Sequence, residues 1–531
     1  MGFSQAERFE QHVNNQLSKW VGATPMLFPI CQRLGLAQIV DAHCPGKEEI
    51  SHGKVITALT LNRLLSPRPL YKVGEWMGGT ILEDALEVDA KQMYDSRLGR
   101  TLDDIQPHLE AIWQDIVVQA ILAYDIDLRF LHYDITSIYF EGEYKESDTI
   151  DYGYSRDKRP DAKQVNLGIN VTGKAGIPLA YRVLAGRTAD RTTPLENMKA
   201  VQQLLDRVEL AGRANDFLLV SDRAMLDRAV IVAYEGKGVK WLGPLSANSG
   251  LQHVLESVTN EELEAHLLDY RPHNQPADEP PRYHGVLRSA TIEHEDQQVP
   301  IHVLVVRSRT KIKLDRDRRQ NYLKRLTDRL EEIRGLLNTR RYRQKAYAQQ
   351  QIDKALQGNP AKRFVDIELA GGDDNLTLTY RVNEEKLVEA ETLDGRYLLG
   401  TNQNDLSADE MLRHFKRQEV IERRIRTVKG PIRIRPLFLH KEERIEGLVF
   451  VTMLALLIYT ILEMLCRRAG EHITARQVLA QFELLGATYI QFGDGSWLKL
   501  PSALNQTQRQ LIELLRFPPP AAYLKRTEAT K

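Results

Sequence analysis

Several features that would place a protein in a class at once are scarce in this sequence. Only three of its 531 residues are cysteines, Cys31, Cys44 and Cys466, and their wide spacing excludes a disulfide framework or a zinc knot. We expect them to be buried free thiols. Basic and acidic residues number 72 each, so the chain lacks the overall positive charge typical of many nucleic-acid-binding proteins. Any binding of nucleic acid must therefore come from local patches.

Long apolar runs are also scarce. The one exception is "GLVFVTMLALLIYTILEMLC" at residues 447–466, which has about the length of a membrane-spanning helix. Glu463 lies inside this run, and Arg444 and Arg467 flank it. We therefore predict a buried core helix and no membrane partner. The N-terminal segment "MGFSQAERFEQHVNNQ" is polar and acidic early on, and we do not expect it to be a signal peptide.

The pattern of apolar residues changes along the chain and predicts an α/β protein. Residues 1–122 have apolar residues at three- and four-residue intervals, which indicates a helical N-terminal domain. From about residue 127 the order is three strands, helix, strand, helix, strand. This order predicts a mixed five-stranded sheet with flanking helices over residues 123–245, continued by helices over residues 403–468. Residues 469–531 form a separate C-terminal region with a turn at "FGDGSW".

Residues 246–402 interrupt this alternation and read as a β-rich insertion. Strand-like runs include "GVLRSATIEH", "VPIHVLVVRSRT" and "DGRYLLGTN". Between them lies a long charged helix whose apolar residues have 3-4-3-4 spacing, which predicts one narrow apolar seam. The seam residues are Leu323, Leu326, Leu330, Ile333 and Leu337.

Three carboxylates are candidates for a metal site. Asp134 in "RFLHYDITSIYF" and Asp222 in "FLLVSDRAML" end strand-like runs, and Glu422 lies in the basic helical run "FKRQEVIERRIRTVK". Three carboxylates that a fold brings together can hold two divalent cations, which can drive attack on a phosphodiester. Taken singly, a strand-end Asp is often a turn or cap residue, and Glu422 also fits a solvated helix face. Spacing alone does not select these three residues.

Several segments together resemble a known family. They are "LHYDITSIYFEG", "GYSRDKRPDAKQVNLGINV", "GIPLAYRVLAGRTADRTT", "VSDRAML", "DGRYLLGTN" and "VIERRIRTVKGPIRIRPLFLHKEERIEGLVFVTMLAL". In this order they resemble bacterial insertion-sequence transposases of the DDE type. The group in question has an RNase H-like catalytic domain with a large β-rich insertion before the glutamate. The resemblance covers roughly residues 20–465.

The resemblance implies a function and a site. Asp134, Asp222 and Glu422 would be the catalytic and metal-binding acids, separated by 88 and 200 residues. They would hold two Mg²⁺ ions, for which Mn²⁺ can substitute. The implied activity is binding of the terminal inverted repeats in double-stranded DNA, metal-dependent cleavage of the ends and joining of the 3′-OH ends to target DNA. The implied protein is a homodimer or higher multimer on DNA in the bacterial cytoplasm, associated with the nucleoid.

The glutamate helix departs from the family pattern, which often has Tyr, Arg, Glu and Lys. The corresponding residues here are Phe415, Gln418, Glu422 and Lys429, so only Glu and Lys match. Arg417 is adjacent to the missing Arg, but one helical step rotates a side chain by about 100°. Two other functions stay open: an RNase H-like nuclease without strand transfer, and a catalytically inactive DNA-binding protein derived from a transposase.

Two basic stretches are candidates for DNA binding. Residues 309–345 have 14 Lys/Arg against five Asp/Glu, and residues 416–444 have ten against four. Neutralisation of phosphates supplies most non-specific DNA affinity. A solvated helix face with i,i+4 ion pairs explains the first stretch equally well, whereas the second flanks Glu422, which favours DNA binding there. The candidate DNA contacts, including those of the basic loop 155–163, are Lys158, Arg159, Lys163, Arg316, Arg319, Lys324, Arg423, Arg426, Lys429, Arg433 and Arg435.

Three further residues have two interpretations each. His132 and His440 are candidate catalytic bases or structural histidines, and two-metal chemistry needs no protein base because a metal lowers the pKa of bound water. Trp241 is a candidate for stacking on a displaced base, or a core residue.

Overall fold

The computed structural model describes residues 13–525 except 47, 142–143, 145–146, 211–216, 248–249, 273–274, 276–278, 280–281, 435–440 and 494. The chain forms two compact units. The first consists of Met1–Val220 and Arg417–Lys531, and the second of Ser221–Lys416.

The first unit begins with a strand that the sequence pattern did not predict, β1 (Val13–Trp20). The predicted helices follow: α1 (Thr24–Arg33), α2 (Leu36–His43), α3 (His52–Leu65), α4 (Val73–Gly78), α5 (Leu82–Leu86), α6 (Asp95–Ile105) and α7 (Leu109–Tyr124). Eleven of the 14 residues of α3 are buried, which is why its apolar pattern has no clear polar face.

The first unit then continues into a mixed sheet. Its elements are β2 (Phe130–Tyr139), β3 (Gln164–Thr172), β4 (Pro178–Ala185), α8 (Pro194–Leu210) and β5 (Leu218–Val220). The strand order is β4-β3-β2-β5, with β2 antiparallel to β3, β3 antiparallel to β4, and β2 parallel to β5. All nine residues of β3 are buried, as expected for a strand covered on both faces. The predicted mixed α/β class and the predicted strand–helix order are confirmed.

The second unit contains the segment predicted as the β-rich insertion, the helix and fifth predicted strand that precede it, and a helix that follows it. Its elements are α9 (Arg228–Glu235), β6 (Lys240–Leu245), α10 (Gln252–Glu256), α11 (Asn260–Ala265), β7 (Tyr283–His294), β8 (Gln297–Ser308), α12 (Arg309–Leu336), α13 (Lys345–Leu356), β9 (Val365–Ala370), β10 (Thr377–Val382), α14 (Glu384–Thr392), β11 (Arg396–Thr401) and α15 (Ala408–Lys416). Here β6, β11, β8 and β7 pair antiparallel in that order, and β9 pairs with β10.

The apolar seam of α12 forms the core of a local cluster. Leu326, Leu330 and Ile333 are each at most 1% exposed and pack with buried residues of α13, β9 and β10. The sequence pattern predicted the seam but missed α13 and β9. In β9 the burial alternates along only six residues, "VDIELA", which is too short a signal to distinguish from a loop.

The first unit resumes with α16 (Glu419–Lys429), α17 (Glu442–Arg468), α18 (Ala475–Gln481), β12 (Gly486–Phe492), β13 (Trp497–Pro501) and α19 (Gln506–Leu515). Residues 405–428, which the sequence pattern predicts to be helical, form two helices, α15 and α16, separated by Arg417 and Gln418. The C-terminal strands were also not predicted: β12 pairs antiparallel with both β1 and β13. β1 thus depends on a partner more than 450 residues away in the sequence.

The apolar helix α17 is a core helix, as predicted. Within the described residues it is the one helix with the length and apolarity of a membrane span, and 94% of its most apolar window is buried. It packs against α1, α3, α6, α16 and β4 of its own unit. Burial on all sides explains why it is apolar around its whole circumference.

We predict that Leu330→Ala lowers the free energy of unfolding of the second unit by about 2–5 kcal/mol, because it leaves a cavity in the α12 cluster. Leu314→Ala is a matched control on the same helix, since Leu314 is 56% exposed. Chemical denaturation followed by circular dichroism measures both. Equal losses of unfolding free energy in the two variants would contradict the prediction that the apolar seam of α12 forms a core.

Candidate active site

Asp134 lies on β2, and Asp222 lies two residues after the end of β5, the strand that pairs parallel with β2. The parallel pairing of β2 with β5 ends at His132 and Val220. Asp134 follows His132 by two residues, and Asp222 follows Val220 by two residues. Asp134 is therefore not at a strand end as expected, because β2 continues to Tyr139 through its pairing with β3. At His132, two residues before Asp134, β2 stops pairing with β5, while its pairing with β3 continues.

The two aspartates differ in exposure. Asp134 is half-buried, and its Oδ1 accepts a hydrogen bond from the backbone N–H of Ile135 at 2.8 Å. Asp222 is exposed in the turn after β5, and the neighbouring Ser221 N–H donates to the carbonyl of Leu242 in β6 at 3.1 Å. The backbone of Asp134 is thus part of a strand, and that of Asp222 follows a residue hydrogen-bonded to β6.

Glu422 lies on the exposed side of α16, a helix that packs against β2 and β3. Ile421, Arg424 and Val428 form part of its buried side. A carboxylate in the first turn of a helix interacts favourably with the helix dipole. The packing places the helix that carries Glu422 beside the strand that carries Asp134, within one unit.

A buried arginine fixes α16 in this position. Arg424 is 1% exposed and forms an ion pair of 2.7 Å with Glu463 of α17, whose side chain is 7% exposed. Its remaining donors bind the turn between β3 and β4, with Nε 3.1 Å from the Gly176 carbonyl and one Nη 2.7 Å from that of Ala175. The second oxygen of Glu463 accepts the backbone N–H of Ala475 at the start of α18. Arg424 and Glu463 therefore connect α16 to α17, to the start of α18 and to the turn between β3 and β4.

The turn accommodates this arginine because residue 176 is glycine. Gly176 has φ of +67°, and a Cβ at this position would lie 2.6 Å from Nε of Arg424. Any other residue would be strained in its backbone and would displace the guanidinium. Burial, followed by the like charge of Arg424, lowers the pKa of the neighbouring Arg467 guanidinium.

Lys429 at the end of α16 is also internally paired. Its Nζ lies 2.8 Å from Oδ1 of Asp157, and the two side chains are only 11% and 8% exposed. Asp157 belongs to the basic loop 155–163, which is fixed further by Arg156: its N–H donates to Oγ of Ser137 on β2. In this structure Lys429 holds the loop against the glutamate helix and does not present an open cation to solvent.

The other predicted DNA contacts fall into two groups. Arg319 is only 9% exposed and binds Asp394 and Glu391, and Lys163 donates to the Tyr144 carbonyl at 2.7 Å. Arg159 and Arg423 are partly exposed and have acidic neighbours, Asp161 and Glu419. The exposed cations are Lys158, Arg316, Lys324, Arg426 and Arg433. Arg435 lies outside the described residues.

Trp241, His132 and His440 are the remaining candidates, and the two that the structure describes are buried. Trp241 is fully buried on β6, as the core interpretation predicts, and its backbone N–H donates to the side chain of Asn402 at 3.0 Å. His132 is also fully buried on β2. His440 lies outside the described residues.

No three His, Cys, Asp or Glu side chains in the described part of the chain lie close enough together to hold a metal ion. The donor chemistry of the predicted trio nevertheless suits Mg²⁺, which prefers a few carboxylates with water and phosphate oxygens.

Arg424 is the residue of this region that sequence reasoning missed, although a signal for it exists. Glu463 lies within an otherwise apolar helix, and a buried carboxylate requires a cationic partner. The sequence offers many arginines and does not say which one supplies the partner.

Comparison with known protein families shows the family to which the chain belongs. The model of the Transposase DDE domain matches residues 127–458, and that of a domain of unknown function (DUF4277) matches residues 18–118. The first match covers more than half of the chain and includes Asp134, Asp222 and Glu422. The chain belongs to the family of the transposase DDE domain, and the suspected resemblance is confirmed.

Two solved structures are distantly similar. The piggyBac transposase synaptic complex with hairpin DNA has a TM-score of 0.38 and 8% identity, over 87% of this chain and 78% of that one. The Mos1 transposase paired-end complex with left transposon end has a TM-score of 0.16 and 15% identity, over 38% and 59%. A comparison with curated proteins gave no match. The family assignment rests on the matched domain.

We predict that Arg424→Met destabilises the first unit by about 3–5 kcal/mol, because Glu463 then remains as a buried carboxylate without its cation. The double variant Arg424→Met/Glu463→Leu removes both charges and should recover most of this loss. Denaturant unfolding of the single and double variants measures the coupling. Additive effects of the two substitutions would show that the pair does not anchor the helix.

Proposed function

We propose that this protein is an active DNA transposase that cleaves the ends of its element and joins their 3′-OH groups to target DNA. The observation that carries the proposal is the position of the acids within the matched domain. Asp134 and Asp222 follow the last paired residues of two parallel strands by the same number of residues, and Glu422 faces solvent on a helix packed against one of these strands.

Asp134, Asp222 and Glu422 would hold the divalent metal, Mg²⁺ or Mn²⁺. When bound, a pair of such ions activates the attacking oxygen and stabilises the leaving oxygen of the phosphodiester. Carboxylates meet the preference of these ions for hard oxygen ligands. The protein's own contribution is to hold the helix of Glu422, through Arg424, Glu463 and the turn at Gly176.

The DNA contacts that we propose are the exposed cations of the two basic stretches, 309–345 and 416–444, and of the basic loop 155–163. Lys158 and Arg426 belong to the same unit as Asp134 and Glu422, whereas Arg316 and Lys324 lie on α12 of the second unit. Lys429, Lys163 and Arg319 would reach DNA only by giving up the internal contacts described above, so we assign them a structural role in the DNA-free protein.

The division of the chain into five functional segments is part of the same proposal. Residues 1–122 would bind the DNA ends or mediate multimerisation, and 123–245 with 403–468 would form the catalytic core around the insertion 246–402. The region 469–531 contributes β12, which pairs with β1, so the first and last segments would act together. A dimer or higher multimer on DNA would bring two transposon ends together.

We predict that Asp134→Asn, Asp222→Asn and Glu422→Gln each reduce Mg²⁺-dependent cleavage of transposon-end DNA by on the order of 10³-fold or more, and leave DNA binding intact. Glu419→Gln is the matched control, since Glu419 is an exposed glutamate of the same helical turn. Gel analysis of end-labelled DNA measures cleavage. Full cleavage by Asp222→Asn would refute the assignment of the acids.

A strand-transfer assay with pre-cut ends separates the alternatives. Joined products require a transposase, and cleavage without joining indicates a nuclease of the same fold. Binding to the ends without any response to Mg²⁺ or Mn²⁺ identifies an inactive DNA-binding relative.

We also predict that Lys158→Ala and Arg426→Ala each reduce the slope of log Kobs against log salt by about 0.9 for duplex DNA, because each removes one phosphate contact. Arg381→Ala serves as the control, since Arg381 is an 83% exposed cation outside both basic stretches and the loop 155–163. Fluorescence anisotropy at several salt concentrations measures the slope. An equal change in the control would mean that only net charge matters.

A further inference from the structure

The first unit contains a cleft of about 810 Å³ that none of the predicted roles explains. Its walls come from the end of β1, the end of α3 with the loop after it, α4, the segment after α16, and α18. Four arginines line it: Arg63, Arg68, Arg433 and Arg476. Three aromatic residues, Trp20, Trp76 and Tyr459, and one acid, Glu483, also line it.

The charge of the cleft is not compensated within the protein. Across the described residues none of the four arginines forms an ion pair with a carboxylate, whereas the buried Arg97 and Arg424 do. Arg63 donates to the backbone carbonyl of Arg433 at 3.3 Å, and its burial lowers the pKa of its guanidinium to about 10. At neutral pH it is still protonated. A desolvated cation without a counterion is unfavourable, and an anionic ligand would offset this cost.

The tryptophans of the cleft indicate which class of anionic ligand it would bind. Trp20 donates from its indole nitrogen to the Glu483 carbonyl at 2.5 Å, which fixes its ring at the wall. Trp76 is half-buried at the same cleft. Indole rings beside arginines form the combination that binds unpaired nucleotides: the guanidinium groups bind phosphodiesters and the rings stack on bases. Paired bases in a duplex do not expose their faces to such rings.

The size and position of the cleft fit the same ligand. Its volume lies in the range of about 300–1,000 Å³ of small-molecule sites, which suits one or two unstacked nucleotides and excludes a duplex. Gly430 and Arg433 belong to the segment directly after α16. Glu422 and Lys429 are seven residues apart on α16, a distance of roughly 10 Å along the helix axis. A strand held in the cleft would therefore pass near the helix that carries Glu422.

We propose that this cleft binds an unpaired segment of a DNA strand, with Arg68 and Arg476 on its phosphates and Trp76 stacked on a base. The proposal rests on the proposed function, since it specifies how this chain holds DNA. It adds a site formed jointly by the N-terminal helices, the segment after α16 and the C-terminal helix α18. The first of these lies in the domain of unknown function at residues 18–118.

The test measures binding of a fluorescein-labelled single-stranded oligodeoxynucleotide of eight residues to the full chain in EDTA, so that no metal or cleavage is involved. The double variant Arg68→Ala/Arg476→Ala should bind at least about 10-fold more weakly, with a salt slope lowered by about 1.4 for two lost contacts. The matched control is Arg509→Ala, an exposed arginine of α19 in the same unit outside the cleft, which should change affinity less than 2-fold. Thermal melting verifies that each variant is folded.

A second measurement does not depend on the arginine variants. The oligonucleotide should quench the tryptophan fluorescence of the wild-type chain, and Trp76→Phe should remove much of this quenching and weaken binding about 5-fold or more. Trp497→Phe, a tryptophan of β13 outside the cleft, should leave the quenching unchanged.

Three results would overturn the proposal: equal losses in the cleft variants and the Arg509→Ala control, displacement of the oligonucleotide by inorganic phosphate at comparable concentration, or dependence of duplex binding but not single-strand binding on the cleft. Its failure is distinguishable from that of the proposed function. Asp222→Asn should bind the oligonucleotide normally, and a chain that lacks cleavage but binds through the cleft would refute only the catalytic proposal.

Discussion

The ion pair between Arg424 and Glu463 connects parts of the first unit that are far apart in the sequence. It joins the glutamate helix, the long apolar helix, the start of α18 and the turn between two sheet strands. A buried guanidinium is tolerable only when its donors have acceptors, and here the acceptors are Glu463 on α17 and two carbonyls of the turn between β3 and β4. Glu422 lies two residues from this arginine on the opposite, exposed side of the helix. The orientation of the proposed catalytic carboxylate is thus a consequence of the packing of a charge in the core.

Internal ion pairs also decide which lysines and arginines of the basic segments face solvent. A count of lysines and arginines predicts two DNA-binding stretches, yet Lys429 and Arg319 lie in nearly buried ion pairs. Their role in the DNA-free protein is to connect elements: Lys429 holds the loop 155–163, and Arg319 holds the segment between α14 and β11. Other cations have no carboxylate partner among the described residues: Lys158, Arg316, Lys324 and Arg426 face solvent, and Arg63, Arg68, Arg433 and Arg476 line the cleft. The positions of cations without a carboxylate partner therefore indicate a polyanionic partner better than the number of cations in a segment does.

Strong local periodicity explains which elements were predictable. The strand–helix order from residue 127, the charged helix with its apolar seam, and the buried helix α17 all have long or unambiguous patterns, and the structure confirms them. β1 was missed because its pairing partner, β12, lies most of the chain away. Short strands that gain their hydrogen bonds from distant partners have little local signal. The break at Arg417 and Gln418 was missed for a related reason, since no proline or glycine marks it.

The sequence by itself determined the class of fold, the family and the identity of the three candidate acids, because these depend on local periodicity and on a specific order of motifs. Only the tertiary structure decided that Asp134 lies where the pairing between β2 and β5 ends, and that Arg424 is the partner of Glu463. It also decided which cations are internal and which line the cleft. The physical reason is that ion pairing and burial depend on which distant residues share a low-dielectric environment, and the order of residues along a chain does not specify that environment.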